Sequence, residues 1–182
     1  NWTKKLKVSF ISNFNLNKNC KPYQNFKTGR VFLNKNSMNI LMVCLGNICR
    51  SPLAEGILQS KLPSTFTVES AGTIDMHRGN KPDIRSIETA RNHGVDISKQ
   101  KSRPFQNSDF EKFDAIFCMD QHNLDDVLSI AKSNSDRDKV FLILKNGQDV
   151  PDPYYGNSED FEEVYQLLDG ACSKIAAELL MK

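Results

Sequence analysis

The fold is decided by residues 39–52, which read NILMVCLGNICRSP. The apolar run at residues 39–44 is typical of a strand that is buried on both faces. The residues that follow contain turn formers and predict a loop. Ser51 and Pro52 then predict a helix start, because Ser is favoured as an N-cap and Pro at the first helical position. Pro63 predicts the end of that helix, so the stretch combines a strand, a loop and a helix.

The rest of the chain alternates further strands with further helices. These segments are residues 66–72, 113–119 and 140–144 for the strands and residues 83–93, 121–132 and 158–180 for the helices. We expect Asp83 and Asp120 to cap two of the helix starts, and Gly94 to end one helix. The alternation predicts a single α/β domain, a four-stranded parallel, doubly wound sheet with helices on both faces. Ligands of such sheets bind at the carboxyl ends of the strands, where the loop after the first strand lies.

Charge and cysteine usage exclude several classes of protein. The chain has 182 residues, with 24 Lys and Arg against 22 Asp and Glu. A net charge of +2 gives no basis for predicting a nucleic-acid partner, and no apolar run reaches the roughly 18 residues of a membrane span. Five cysteines without a C-x-x-C pair, and three histidines, disfavour a disulfide scaffold and a zinc site. We therefore expect a monomer with reduced thiols in the cytoplasm.

The basic residues are concentrated at the start of the chain. Residues 1–40 contain eight Lys and Arg and no Asp or Glu. Residues 1–37 show no sustained helix or strand period, and three interpretations are open: a targeting segment, a short element docked on the domain, or a disordered or non-native extension. We favour the extension, with Met38 as the working start, because residues 38–182 read as a self-sufficient domain.

The loop after the first strand joins a nucleophile to an anion-binding group. At such a junction backbone N–H groups converge on one centre, and the helix dipole adds positive charge. Arg50 offers two parallel donors to an oxyanion, and a thiol at Cys44 in that field is expected to ionise readily. Ser51 can hydrogen-bond the thiolate, Gly46 permits close backbone approach, and Asn47 tolerates the left-handed conformation. These features predict attack of the thiolate on the phosphorus of a phosphate monoester.

Residues 43–52, VCLGNICRSP, closely resemble the phosphate-binding loop of the low-molecular-weight protein tyrosine phosphatases. The resemblance extends over residues 39–181. It implies a phosphatase that works through a phosphocysteine, with Cys44 as nucleophile and Arg50 binding phosphate. Its substrate is a phosphotyrosine protein or a small phosphate monoester, its product is inorganic phosphate, and neither metal nor organic cofactor is needed. The residues expected to bind substrate are Leu45, Gly46, Asn47, Ile48, Cys49, Ser51, Tyr154, Tyr155 and Met76.

Asp152 lies in the segment VPDPYYG, residues 150–156. From the residues alone, a surface Asp-Pro turn is the simpler interpretation, although Pro153 stiffens the backbone there. The resemblance favours a general-acid loop instead. It implies that Asp152 protonates the leaving oxygen and then acts as base for the hydrolytic water. Tyr154 and Tyr155 would then form an aromatic wall suited to a phosphotyrosine ring.

Three more residues are given supporting roles by the resemblance. It implies that Ser70 and His93 hydrogen-bond Asn47 and hold its strained conformation. From the residues alone, His93 is more simply a helix-end residue that interacts with the dipole. Asp120 is expected chiefly to cap a helix, with contact to the active-site network left open. Met76 stands where mammalian members have a bulky aromatic residue, and predicts a more open rim of the cleft.

Two alternative functions are considered. A thiol-coupled arsenate reductase of the same fold needs resolving cysteines on a mobile segment, whereas Cys118 and Cys172 fall in a predicted strand and a predicted helix. A non-catalytic phosphate-binding regulatory module is expected to lack Cys44, Arg50 or Asp152, and all three are present. The spacing of Cys44 and Cys49 also predicts a reversible disulfide that protects the nucleophile from overoxidation.

Overall fold

A computed structural model describes residues 37–145 and 147–181. Our prediction for residues 1–37 lies outside these residues, apart from Ser37. In the described part four strands form one parallel sheet, as predicted; in chain order they are numbered β1 to β4, and their order in the sheet is β2-β1-β3-β4. The strands are β1 (Asn39–Cys44), β2 (Thr67–Gly72), β3 (Ala115–Cys118) and β4 (Val140–Leu142).

Helices connect the strands and flank the sheet. They are α1 (Arg50–Lys61), α2 (Ile84–Asn92), α3 (Asp109–Lys112), α4 (Gln121–Ser129), α5 (Asn134–Arg137) and α6 (Ser158–Leu180). The four-residue helices α3 and α5 were not predicted, because a single turn is too short to show a helical period. β3, β4 and α4 are each shorter than predicted, whereas the bounds of α6 match the prediction.

Side chains of the central strand β1 alternate between two hydrophobic cores. Ile40, Met42 and Cys44 face a core that contains the buried sides of α1 and α6. Leu41 and Val43 face a second core built with α3 and α4. Both faces of the sheet are therefore covered by helices, as the uninterrupted apolar runs predict. This burial fixes the carboxyl end of β1, where Cys44 lies.

Helix α1 begins two residues earlier than predicted, at Arg50 and not at Pro52. Its N-cap is Cys49, with no side-chain cap, and Ser51 lies inside the first turn. The predicted capping role of Ser51 is wrong because its hydroxyl is bound elsewhere, to Cys44 and Asn47. Pro52 is tolerated in this turn because the N–H it lacks has no partner within the helix there.

The predicted capping residues of α2 and α4 are confirmed. The Asp83 carboxylate accepts the Arg85 N–H at the start of α2, and Asp120 accepts the Asn123 N–H at the start of α4. Gly94 follows α2 with φ of 78°, the left-handed conformation that favours glycine after a helix.

Gly72, at the end of β2, makes room for the loop that follows β1. A Cβ atom at this position would lie 2.8 Å from the carbonyl oxygen of Leu45 and 3.1 Å from the nitrogen of Asn47. Both are backbone atoms, so the loop itself would have to move. The strand register pairs Gly72 with Cys44, which places this close approach beside the predicted nucleophile.

We expect Gly72→Ala to lower the free energy of unfolding by ~1–3 kcal/mol, because the added methyl group overpacks the loop. Urea denaturation measures this change. Gly170→Ala is the matched control, since its Cβ in α6 would meet nothing within 4 Å. It should raise the stability by about 0.5–1 kcal/mol through helix propensity. A Gly72→Ala protein as stable as the parent would contradict the close approach.

Candidate active site

Three carbonyl groups of the loop after β1 accept hydrogen bonds from residues outside the loop and point away from its centre. They belong to Leu45, Gly46 and Ile48, and their donors are the Ile74 N–H at 3.1 Å, the Ser102 hydroxyl at 3.1 Å and the Asp83 N–H at 2.8 Å. In a trans peptide the carbonyl and the following N–H point in opposite directions. The N–H groups of Gly46, Asn47 and Cys49 therefore face the inner side of the loop, where the Cys44 sulfur accepts that of Asn47 and a tetrahedral anion can accept the others.

Asn47 holds the curl of this loop. Its φ of 54° lies in the left-handed region, as predicted, and its N–H donates to Cys44 Sγ at 3.3 Å. Its side-chain Nδ2 donates to Ser51 Oγ at 2.9 Å and to Ser70 Oγ at 2.8 Å. Its Oδ1 accepts the Arg103 main-chain N–H at 2.9 Å. The predicted hydrogen bond to Ser70 is present, and the buried amide is fully bonded.

The predicted contact of His93 with Asn47 is wrong. His93 is the C-cap of α2 and faces α6, where its Nε2 lies 2.9 Å from a Glu162 carboxylate oxygen. Its ring stacks on Tyr165 with centroids 4.1 Å apart. The Asn47 oxygen takes its hydrogen bond from the Arg103 main chain instead. A main-chain donor leaves no residue-type signal, so the sequence did not reveal it.

The hydroxyl of Ser51 is oriented toward the sulfur. Because Asn47 donates to Ser51 Oγ, the oxygen acts as an acceptor there and its own hydrogen is free to donate. The Cys44 Sγ lies 3.0 Å away, whereas the Ala71 carbonyl lies 3.4 Å away. A thiolate at Cys44, which is 2% exposed, would then accept both this hydroxyl and the Asn47 N–H.

The Arg50 guanidinium pairs with two carboxylates that come from different parts of the chain. Its Nη1 donates to Asp120 at 2.6 Å and to the Val150 carbonyl at 3.1 Å, and its Nη2 donates to Asp152 at 2.8 Å. Burial opposes its charge, but Cys44, Asp152 and Asp120 more than compensate and raise the pKa of Arg50. The guanidinium therefore stays charged beside the sulfur. Asp120 both caps α4 and contacts Arg50, so it belongs to the site as well as to the helix start.

The segment of residues 150–156, here called the Asp152 loop, lies at the open side of the site. The Asp152 side chain is 43% exposed, and its second oxygen accepts the Tyr154 N–H at 3.2 Å. The rings of Tyr154 and Tyr155 pack edge to face at 5.0 Å, and Tyr155 is almost fully exposed. Met76 is also exposed, and its place at the rim stays a prediction.

Two further residues at the loop were not predicted as parts of the site. A Cβ at Gly46 would lie 3.0 Å from the ring of His77, so this imidazole packs against the loop. Glu55, on α1, lies with one carboxylate oxygen 2.5 Å from Ser70 Oγ. Burial raises the pKa of Glu55 to about 7, the hydrogen bond with Ser70 opposes this shift, and the charge of Glu69 adds to it.

A buried sulfur beneath inward-facing amides and a guanidinium defines a cysteine-based phosphate-binding site. The family model of the low molecular weight phosphotyrosine protein phosphatases matches residues 39–182. The enzyme of that name from Schizosaccharomyces pombe is 40% identical over 145 residues, 73% of this chain and 92% of the relative. The chain therefore belongs to the low molecular weight phosphotyrosine protein phosphatase family, as the resemblance of its loop predicts.

Solved structures agree with this assignment. The protein tyrosine phosphatase from Entamoeba histolytica, with Hepes in its active site, is 35% identical with a TM-score of 0.73, covering 78% of this chain and 96% of its own. Wzb from Vibrio vulnificus, in complex with benzylphosphonate, is 34% identical with a TM-score of 0.72, covering 77% of this chain and 97% of its own.

No helix within residues 37–145 and 147–181 has the length and apolar character to cross a bilayer. In the same residues, no group of three or more His, Cys, Asp and Glu side chains is arranged to hold a metal ion.

The raised pKa of Glu55 predicts a pH-dependent stability. Between the ordinary value of 4.5 and about 7, the folded protein binds a proton here that the unfolded chain has released. Stability from this group therefore falls as pH rises through that window and stays lower above it. We expect Glu55→Gln to gain stability relative to the parent from about pH 5 to about pH 8, measured by urea denaturation at several pH values.

Glu88→Gln is the matched control, because Glu88 is an exposed glutamate on α2. This change should leave the pH dependence of the parent intact. If Glu55→Gln and the parent run parallel across the window, Glu55 is not held protonated in the folded protein.

Proposed function

We propose that this chain hydrolyses phosphate monoesters, phosphotyrosine in proteins among them, through a phosphocysteine formed at Cys44. Family membership implies phosphotyrosine substrates. The observation that carries the proposal is the common placement of three groups: the Cys44 sulfur with two donors on it, the inward amides of the loop, and Arg50 bonded to Asp152. This placement supports the action of a nucleophile, an anion cradle and a proton donor in one site.

The first step transfers the phosphoryl group to sulfur. Phosphate oxygens bind the loop N–H groups and Arg50, whose Nη2 exchanges its bond to Asp152 for a bond to substrate. The thiolate of Cys44 forms the S–P bond as the ester P–O bond breaks. The bond electrons go to the leaving oxygen, which takes a proton from Asp152.

The second step regenerates the thiolate. Asp152, now a carboxylate, removes a proton from water as the water attacks phosphorus. The S–P bond breaks and its electron pair returns to the Cys44 sulfur, while inorganic phosphate leaves. The Ser51 hydroxyl and the Asn47 N–H hydrogen-bond that sulfur and stabilise it as a leaving group.

The exposed rings beside Asp152 support an aryl substrate. Tyr154 is 41% exposed and Tyr155 97%, so both offer apolar faces next to the site. Benzylphosphonate, the ligand of the Vibrio vulnificus structure, carries a phosphonate on a benzyl group and has the shape of an aryl phosphate. A phosphotyrosine ring against these side chains would place its leaving oxygen near Asp152.

The alternatives have less support in the structure. Cys118 and Cys172 are fully buried, and burial raises the pKa of Cys172 to about 12 and that of Cys118 well above its ordinary value. Cys118 lies in β3 and Cys172 in α6, and neither lies on the mobile segment that the relay of an arsenate reductase needs. A regulatory module that only binds phosphate does not need a carboxyl group such as Asp152 paired with Arg50. The monomeric state stays a prediction, and the cytoplasm is proposed on cysteine usage alone, since Cys44, Cys49, Cys118 and Cys172 are all unpaired thiols.

Removing the nucleophile or the acid tests the mechanism. We expect Cys44→Ser to abolish hydrolysis of p-nitrophenyl phosphate while phosphotyrosine peptide binding persists. Asp152→Asn should lower kcat on a phosphotyrosine peptide by on the order of 10²–10⁴-fold, because the leaving phenolate loses its proton donor. Acid quenching during turnover of a radiolabelled substrate should trap the label on Cys44. Asp125→Asn, an exposed change on α4, serves as the control with parental rates.

A parallel phosphoserine peptide separates substrate classes, and it should be hydrolysed far more slowly than the phosphotyrosine peptide. Full activity of Asp152→Asn on the phosphotyrosine peptide would remove Asp152 from the acid role. Turnover by Cys44→Ser, or label that never appears on the protein, would defeat the covalent mechanism itself.

Cys49 supports reversible inactivation by peroxide. Cys49 lies five residues after Cys44 in the same loop, which brings a second sulfur to the nucleophile. Burial and the charges of Asp83 and Cys44 raise the pKa of Cys49 to about 12, so Cys49 is not itself the sulfur that peroxide oxidises. Peroxide oxidises the Cys44 thiolate to a sulfenic acid and is itself reduced to water. The Cys49 sulfur then attacks that sulfur, an S–S bond forms, and water leaves with the thiol proton. A dithiol reduces the bond and restores both thiols.

We expect peroxide-treated parent enzyme to recover most of its activity with a dithiol, and Cys49→Ser to recover far less because Cys44 proceeds to sulfinic acid. Activity assays before and after reduction give both values. Cys20→Ser, outside the described residues, is the control. Equal recovery in the Cys49→Ser enzyme would show that Cys49 does not protect the nucleophile.

A further inference from the structure

Arg85, on α2, bonds the backbone of the Asp152 loop without being part of the catalytic groups. Its Nη2 donates to the Tyr154 carbonyl and its Nη1 to the Gly156 carbonyl, both at 3.0 Å. These two carbonyls lie two and four residues beyond Asp152. The Tyr154 N–H in turn donates to Asp152 Oδ1 at 3.2 Å, so Tyr154 is held on one side by Asp152 and on the other by Arg85.

The guanidinium of Arg85 is itself fixed in place. Asp83 accepts its Nε at 2.9 Å and its Nη2 at 2.8 Å, a two-point pairing. The Arg85 Cζ lies 4.4 Å from the ring centroid of Phe161, a fully buried residue of α6. The planar guanidinium therefore stacks on α6 while it hydrogen-bonds Asp83 and the backbone of the Asp152 loop. Lysine cannot reproduce this geometry.

Asp83 also connects this arrangement to the phosphate loop. Its main-chain N–H donates to the Ile48 carbonyl at 2.8 Å, one of the outward bonds that turn the loop amides inward. A continuous path of hydrogen bonds thus runs from Ile48 through Asp83 and Arg85 to Tyr154. The Asp83–Arg85 pair is only part-buried, with side chains 13% and 30% exposed, so its own contribution to stability is small.

We propose that Arg85 is a positioning residue for the general acid: it holds the Asp152 loop over the phosphate loop at the distance that proton transfer to the leaving group requires. This inference rests on the proposed phosphatase function and extends it to a residue that does not touch substrate. A loop without this anchor keeps Asp152 but places it less accurately, and a misplacement of about 1 Å can lower a rate on the order of 10²-fold.

The test compares two substrates whose leaving groups differ in their need for a proton. The phenolate of p-nitrophenyl phosphate leaves readily without one, whereas that of phenyl phosphate depends on the acid. We expect Arg85→Gln to lower kcat/KM on phenyl phosphate by roughly 10–100-fold and on p-nitrophenyl phosphate by no more than about 3-fold. Arg91→Gln, at an exposed arginine on the same helix, should match the parent on both substrates.

A double-mutant cycle shows whether Arg85 acts through Asp152. If it does, Arg85→Gln in the Asp152→Asn background should cost little further activity on phenyl phosphate. Thermal melting of each variant reports folding, and Arg85→Lys, which keeps the charge but not the fork, replaces Arg85→Gln in the same assays if that protein does not fold.

Equal losses on the two substrates, or additive losses in the double mutant, would overturn the positioning role, because a general loss of fold or of phosphate binding acts on both substrates alike. A parent protein that hydrolyses neither substrate would instead contradict the proposed function. The two failures are therefore distinguished by the parent enzyme assayed beside the variants.

Discussion

The direction of the peptide groups in the loop after β1 governs the rest of the site. Each trans peptide carries its carbonyl and its N–H on opposite sides, so a carbonyl bonded outward leaves an amide inward. Ile74, Ser102 and Asp83 supply the outward bonds. The curl that results places Asn47 in the left-handed region, which costs roughly 1–2 kcal/mol for most residues. Three hydrogen bonds of the Asn47 side chain offset that strain, so the amides are oriented before any anion arrives.

The topology of the parallel sheet explains why the Arg50 guanidinium lies beside carboxylates from two distant parts of the chain. The carboxyl ends of β1 and β3 are neighbours, which brings Asp120 at the start of α4 beside Arg50 at the start of α1. The loop before α6 then adds Asp152 from the other side of the guanidinium. A buried charge without partners is costly, and these carboxylates satisfy Arg50 in the absence of a phosphate. Because Asp152 is part-exposed while Asp120 is largely buried, Asp152 is the partner that a substrate phosphate can replace.

Sequence patterns predicted the parts of this molecule that depend on local periodicity and local residue type. The apolar runs located the four strands, and the motif around Cys44 located the loop, its left-handed Asn47 and its arginine. The cap at Ser51 was wrong because two tertiary partners, Cys44 and Asn47, take its hydroxyl. His93 was wrong because the real donor to Asn47 is a main-chain group, to which any residue type contributes equally. Arg85 was missed for the same reason, since the acceptors that define its position are carbonyls about seventy residues away.

The half-buried Glu55 shows how the hydrogen bonds around Asn47 tolerate a titrating group beside Ser70. Its pKa of about 7 means that the negative charge beside Ser70 is absent over much of the acidic range. The Ser70 hydroxyl lies between Glu55 and Asn47, and a hydroxyl can both donate one hydrogen bond and accept two. Ser70 can therefore accept from a protonated Glu55 or donate to an ionised one, and in both states it still accepts from Asn47. Ionisation of Glu55 thus acts on folding stability and on the local field, while the hydrogen bonds that orient Asn47, Ser51 and the sulfur are conserved.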